Sequence, residues 1–276
     1  MVRIISIVNQ KGGVGKTTTA INLAACLAQR MRRTILIDLD SQGNATSGLG
    51  IVKEKIEKSI YDTLIEGVPF SEILLPVSFE NLWVAPANSD LLSAEWHLST
   101  EESGKDVLRQ ALAEFLWNEP VSKRPEYILI DCPPSLGQLS LNAVLSSDSM
   151  IIPVQCEYYA LEGLAGILSS TTLLRQNFNN RLALEGILLT MADRRLNLSR
   201  QVEEDIRRAY GTQVFRTVIP RSVRLSEAPS HGLSIIHYDP ESPGSAAYLE
   251  VTQEIIDHET KSARTWPLRP ALGSTG

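Results

Sequence analysis

An apolar run of strand length, residues 3–8, leads after two polar residues into Lys11-Gly12-Gly13-Val14-Gly15-Lys16-Thr17-Thr18, where a helical pattern over 17–30 begins. Few features constrain a fold as tightly. Glycines let the backbone curl with its N–H groups directed inward, and the helix presents its positive end to the same space. A strand that enters a helix through such a turn implies a β-α unit, and such units return to a parallel neighbour.

The rest of the chain repeats that unit. Strand-like runs fall at 34–37, 82–85, 127–130, 150–154, 184–190 and 214–219. Those at 127–130, 150–154 and 184–190 lack polar alternation, as strands covered on both faces do. Helical patterns occupy 105–117, 158–175, 199–210 and 245–259, and Ser59 is placed to cap a short helix over 61–66. The expected fold is α/β: a single domain with a mostly parallel sheet covered by helices on both faces. With 43% hydrophobic and 21% charged residues among 276, the chain can fill one large core. No linker divides it, so the domain is expected over 1–261, followed by a frayed tail at 262–276.

Several classes are set aside on composition. No apolar run approaches the roughly 20 residues of a bilayer span, and the first residues lack the pattern of a signal peptide. Cys26, Cys132 and Cys156 are odd in number and widely spaced, and the four histidines show no ligand spacing. That argues against a disulfide framework or zinc site and for a reducing, cytoplasmic setting. No GxGxxG follows the first strand and no Ser-His-Asp constellation is visible, so dehydrogenase and triad chemistry are dismissed.

The glycine-rich turn suits phosphate. The general P-loop pattern has Gly five residues before its Gly-Lys pair, where this chain has Gln10, and Lys11 enters directly after it. The physical requirements hold. Backbone N–H groups of Gly12, Gly13, Val14 and Gly15 would surround phosphate oxygens, Lys16 would reach the β- and γ-phosphates, Thr17 would ligate Mg²⁺, and Thr18 would bond a phosphate oxygen. At these residues the sequence resembles the deviant Walker A ATPases, and among them the ParA/Soj partition proteins. The resemblance implies ATP and Mg²⁺ as cofactors. It places Lys11 across a dimer interface on the partner's phosphates, and it makes Gly12 the point where a side chain would obstruct dimerisation.

Two acidic motifs extend the likeness. Ile35-Leu36-Ile37-Asp38-Leu39-Asp40 ends a strand, and strand C-termini are where parallel sheets bind ligands. In the family the second acid, here Asp40, positions or activates the attacking water, while Asp38 reads as a supporting acid at the Mg²⁺ site. Ser41 stands where the family usually has Pro. Residues 127–135, Tyr-Ile-Leu-Ile-Asp-Cys-Pro-Pro-Ser, look like a Walker B element with Asp131 near Mg²⁺ and a stiff turn that can report the γ-phosphate. Residues 153–163 and 218–230 resemble further ParA/Soj signatures, with Ser222 where Asn is frequent. In related nucleotide folds the strand end and loop near Met191 and Pro220 flank the adenine, and the resemblance implies that role here.

The chain carries a net −6, yet residues 190–225 hold eight arginines against four acids. In Soj-like members the residues matching Arg195 and Arg224 bind DNA non-specifically once two subunits close on ATP. The alternative left open by the residues is that these arginines pair with neighbouring acids. A membrane-binding relative of the MinD type would need a C-terminal amphipathic helix, which Pro267 and Pro270 oppose. An iron–sulfur reductase or an amide-forming synthetase is the metabolic alternative. The resemblance therefore implies a Mg²⁺-dependent ATP hydrolase that is nucleoid-associated. It would be a homodimer on ATP, bind non-specific double-stranded DNA without a membrane, and be stimulated by a ParB-type protein.

Overall fold

A computed structural model describes residues 2–101, 104–135 and 137–259. The expected tail at 262–276, and with it the argument from Pro267 and Pro270, lies outside the described residues. Seven strands form one sheet: β1 (Arg3–Ile7), β2 (Thr34–Asp38), β3 (Leu75–Pro76), β4 (Leu82–Ala85), β5 (Tyr127–Asp131), β6 (Ser149–Gln155) and β7 (Ala183–Thr190). Their order is β3-β4-β2-β5-β1-β6-β7. All neighbours are parallel except β3, which runs antiparallel at the edge. The chain leaves β1 toward β2 on one side and later fills β6 and β7 on the other. A crevice at the C-terminal end of β1 is where such a sheet binds ligands.

Helices cover both faces and make two separate cores. On one face lie α1 (Lys16–Gln29), α2 (Asn44–Gly48), α9 (Val223–Glu227), α10 (Ile235–Tyr238) and α11 (Pro243–Glu259). On the other lie α3 (Ile60–Glu66), α4 (Leu91–Thr100), α5 (Val107–Asn118), α6 (Gln138–Ser146), α7 (Ala160–Asn177) and α8 (Asn197–Tyr210). The small side chains of Ala20, Ala24, Ala25 and Ala28 are all buried in α1, so this helix seats closely on the sheet. Ser59 and Asp62 form a capping box at the start of α3, the reciprocal bonding expected of a Ser cap. Every residue of β2 and β5 is buried, which is why these strands read as continuous apolar runs.

One expected strand is absent. Over 214–219 only isolated bridges form, Ile187 to Val214 and Ala192 to Pro220. Phe215 and Ile219 still donate to the carbonyls of Ile187 and Leu189. Between them, the N–H groups of Arg216 and Thr217 turn to the Glu254 carboxylate of α11, at 3.0 and 2.9 Å. A charged acceptor from another helix thus replaces the sheet ladder, and the segment bulges away from β7. Among the described residues no helix is long and apolar enough to cross a membrane.

Candidate functional site

The turn between β1 and α1 is braced from both sides. The Asn9 amide donates to the Pro153 carbonyl (2.7 Å), and its oxygen accepts the Lys11 N–H (2.9 Å). The Thr190 hydroxyl donates to the Val14 carbonyl (2.8 Å). Gly13 and Gly15 take φ of 75° and 90°, the left-handed region that disfavours other residues. Gly12 does not, and a Cβ built there meets no atom within 4 Å. Nothing in the described chain therefore requires glycine at position 12. Lys11 reaches away from the loop, its Nζ 2.8 Å from Glu157 in an exposed pair.

Lys16, by contrast, is buried, with Nζ donating to the Lys11 carbonyl at 3.2 Å. Burial lowers its pKa, against the pull of Asp131 and Asp40. Asp131 ends β5, in register with Asp38 of β2 on one side and Ile7 of β1 on the other. Neither buried Asp131 oxygen has a partner at hydrogen-bonding geometry, although the Thr17 hydroxyl lies near enough to favour the charged form. Burial first, and then the Asp38 carboxylate, hold its pKa well above the ordinary range, opposed by the Thr17 hydroxyl and Lys16.

Asp38 is fully buried as well, but it is satisfied. One oxygen accepts the N–H and hydroxyl of Thr46 (2.8 and 2.7 Å), and the other accepts the Asp40 N–H (3.2 Å). Burial nevertheless pushes its pKa up to about 6. Asp40 sits just outside this pair, half-buried, with one oxygen accepting the Gln42 N–H (2.9 Å). The expected acids thus divide the work: Asp38 shapes the loop that carries Asp40, and Asp131 is left with open lone pairs.

An unsatisfied buried carboxylate beside a threonine hydroxyl is a hard-oxygen donor set, which fits Mg²⁺. No group of three or more His, Cys, Asp or Glu able to hold a metal occurs among the described residues. A cation here would complete its shell with phosphate oxygens and water, as Mg²⁺ does in nucleotide sites. Beyond the turn, Gly15, Thr18, Met191 and Pro220 line one cavity of about 350 Å³, together with Arg221, Val223 and Tyr248. Its walls are tied by Ala192 N–H to the Ile219 carbonyl and Arg221 N–H to the Ala192 carbonyl, both 3.1 Å. The four residues named from sequence are therefore brought together.

The two arginines lie elsewhere, and each has an acid of its own. Arg195, after β7, is 87% exposed and grips Asp193 with two nitrogens (2.9 and 2.6 Å), which holds that acid at about 2. Arg224, on α9, pairs with Glu227 (3.0 Å) and Asp239 (3.4 Å). The alternative of ion pairing is thus real, but exposed pairs are worth only about 0.2–1 kcal/mol and yield to a stronger anion. Sequence reasoning missed Asn9 and Thr190, whose side chains bond distant carbonyls, and Thr46, whose hydroxyl donates to Asp38 and accepts the Ala87 N–H (3.0 Å). It also missed Glu157 as the partner of Lys11.

Comparison with known proteins agrees with this geometry. The AAA domain family matches residues 2–184. The chain is 51% identical over 255 residues to the sporulation initiation inhibitor protein Soj of Bacillus subtilis, covering 92% of this chain and 98% of that protein. It is 50% identical over 263 residues to the chromosome partitioning protein ParA of Myxococcus xanthus, covering 95% and 91%. In structure it is similar to cobyrinic acid a,c-diamide synthase of Mycobacterium smegmatis with bound ADP and magnesium, at a TM-score of 0.82, 32% identity, and coverage of 98% and 100%. Likeness of this extent to Soj and ParA, with the glycine turn, Asp38, Asp40 and Asp131 assembled at the end of the central strands, settles the family: the chain belongs to the ParA/Soj chromosome-partitioning ATPases.

Proposed function

We propose that this protein hydrolyses ATP to ADP and phosphate with Mg²⁺, closes into a dimer around two nucleotides, and in that state binds double-stranded DNA without sequence preference. The observation that carries the reading is the buried Asp131, with both oxygens unpartnered, beside Thr17 and Lys16. Thr17 and Asp131 would hold Mg²⁺, with Asp38 supporting from behind through the Asp40 loop. When bound, the ion neutralises charge on the β- and γ-phosphates. Gly12, Gly13, Val14 and Gly15 cradle phosphate with backbone N–H groups, and Thr18 adds its hydroxyl. Lys16, already desolvated, makes a stronger electrostatic contact with a γ-phosphate than an exposed lysine would. Asp40 orients the attacking water, and Met191 and Pro220 flank the base.

Dimerisation rests on Gly12 and Lys11. Open space where a Gly12 Cβ would stand supports a requirement imposed from outside the chain, by close approach of a second subunit. Lys11 is held by an exposed pair alone, so it can leave Glu157 for the partner's phosphates. Closure would set two copies of Arg195 and Arg224 on one surface. Phosphate contacts of that kind give steeply salt-dependent binding. A ParB-type protein would stimulate hydrolysis, which reopens the dimer and frees the DNA.

The likeness to the diamide synthase is lower in identity, and it supports the shared fold and nucleotide site rather than amide formation. Turnover of ATP by wild type, Lys16→Ala and Asp40→Ala, with and without Mg²⁺, tests the reading. Hydrolysis should need Mg²⁺ and be lost in both variants. Mg²⁺-independent turnover, or full turnover in either variant, would refute it.

A further inference from the structure

Helix α6 follows the Asp131 turn directly, yet it starts with no cap of its own: the residue before it, Gly137, offers no side chain. The acceptor comes from α4. The Glu95 carboxylate takes the N–H of Gln138 at 2.6 Å and that of Leu139 at 3.4 Å, the first two residues of α6. An ionised group there meets both free N–H groups and the positive end of the helix, the arrangement in which a carboxylate bonds most strongly. A Cβ built on Gly137 would lie 2.4 Å from a Glu95 oxygen. Gly137 has φ −77°, a conformation open to any residue, so a side chain at 137 would meet the Glu95 carboxylate rather than backbone strain, and the carboxylate would have to shift off α6 to admit it.

The segment between β5 and α6 therefore has two anchored ends. At one, Asp131 is fixed in register between Ile7 and Asp38. At the other, the first amides of α6 sit on Glu95, and the Ser140 hydroxyl donates back to the Ser135 carbonyl at 2.5 Å. Pro133 and Pro134 stiffen what lies between. Glu95 borders the face of α4 that Leu91, Ala94 and Leu98 bury, one turn on from Leu91, so the packing of that face directs it toward α6.

We propose that Glu95 is a positioning residue for the Asp131 turn: by holding the start of α6 it sets the path of the turn and with it the position of the Asp131 carboxylate. The proposal rests on the ATPase reading above. Glu95 is not among the residues assigned to the nucleotide or the cation; it acts through its hold on the first amides of α6. α4 and the turn consequently move as one unit.

The test uses the full chain with Glu95→Gln, Glu95→Ala, Gly137→Ala and the Glu95→Ala/Gly137→Ala double variant. Amide exchange comes first. Glu95→Ala should speed exchange at Gln138 and Leu139 about tenfold or more, as loss of a charge-assisted bond implies, and should also raise it at Cys132 and Ser135. Glu95→Gln, which keeps an acceptor of the same shape, should lie between. Gly137→Ala should reproduce Glu95→Ala, and the double variant should show no further change, because both remove one contact. In turnover, kcat should fall several-fold with KM for ATP within about twofold, since the glycine turn is untouched. Full protection at 138–139 in Glu95→Ala would overturn the proposal, as would additive effects in the double variant. Exposed amides at 138–139 with unchanged exchange at 132 and 135 and unchanged kcat would reduce Glu95 to a structural cap. If wild type itself fails to hydrolyse ATP, the hydrolysis reading falls, while exchange at 132–139 and the double variant still decide the positioning role.

Discussion

Replacing Asp131 by Asn should strengthen the empty protein and weaken its response to Mg²⁺-nucleotide. The side chain is fully buried, both oxygens lack a partner, and the Asp38 carboxylate lies beside it in register. Burial and then Asp38 raise its pKa well above the ordinary value, so a charge here opposes folding. Protonation limits that cost. At ~1.36 kcal/mol per pH unit and an ordinary carboxyl value near ~3.9, it cannot exceed about 4 kcal/mol at pH 7. An Asn amide buried without partners costs about 1–3 kcal/mol in turn. The net gain is then at most about 3 kcal/mol, or up to roughly 12 °C in Tm for a chain of this length, with about 1–2 kcal/mol as the central expectation. The sign with pH follows from the raised value. A group raised in the folded state contributes fully below its unfolded pKa and loses that contribution as pH rises through the folded one. The advantage of Asp131→Asn should therefore grow from pH 4 to pH 7. With Mg²⁺-ATP at a hundred times its Kd, wild type should gain about 2.7 kcal/mol, and the variant should lack the part that depends on Mg²⁺. Calorimetric scans of both proteins empty, with ATP, and with ATP and Mg²⁺ measure all of this. An empty variant less stable than wild type, or one that keeps the Mg²⁺ increment, would refute the reasoning.

Other perturbations address the dimer, the DNA surface and the base of the sheet. Gly12→Val should alter the stability of the monomer by no more than about 0.5 kcal/mol, because its Cβ meets no atom, while abolishing ATP-dependent dimerisation in light scattering. A large loss of Tm would place the need for glycine inside the monomer. Arg224→Ala should dimerise normally and reduce the slope of log K against log salt by about two per dimer, one phosphate contact per subunit. An unchanged slope would leave Arg224 as the partner of Glu227 and Asp239. At the opposite end of the sheet, Glu185 is buried and accepts from Arg3 (2.6 Å) and Ser149 (2.8 Å), with His258 at 2.9 Å. Burial alone would raise its pKa, but His258 and Arg3 together hold it below the ordinary range. Its contribution is present above the unfolded value of about 4.3 and is lost as pH falls through the folded one. Glu185→Gln should cost about 3 kcal/mol at pH 7 and lose less stability than wild type on acidification, which urea unfolding at pH 7 and pH 3.5 would reveal.

The legible part of this fold is the part built from short-range rules. β2 and β5 read as strands because all five residues of each are buried, and α3 because Ser59 and Asp62 cap it locally. The segment 214–219 failed because its ladder is broken by Glu254, an acceptor 38 positions away. α6 went unread for the same reason, since its cap is Glu95 and not a neighbour in sequence. The site divides likewise. Lys16, Asp40 and Asp131 stand in motifs, whereas Thr46 holds Asp38 through its N–H and hydroxyl and Thr190 holds the Val14 carbonyl, bonds that no spacing announces. For the arginines the sequence shows charge but not pairing, and Asp193 and Glu227 decide how much of that charge is free.

The central claim is that ATP, by closing two subunits, creates a surface for DNA. Asp40→Ala should hold that state by blocking hydrolysis, so its binding to long non-specific duplex DNA should be measured with ATP, with ADP and without nucleotide, across a salt series. Tight binding only with ATP, falling steeply with salt, is the predicted result. Equal binding in all three conditions, or none in any while ATP still binds, would contradict it.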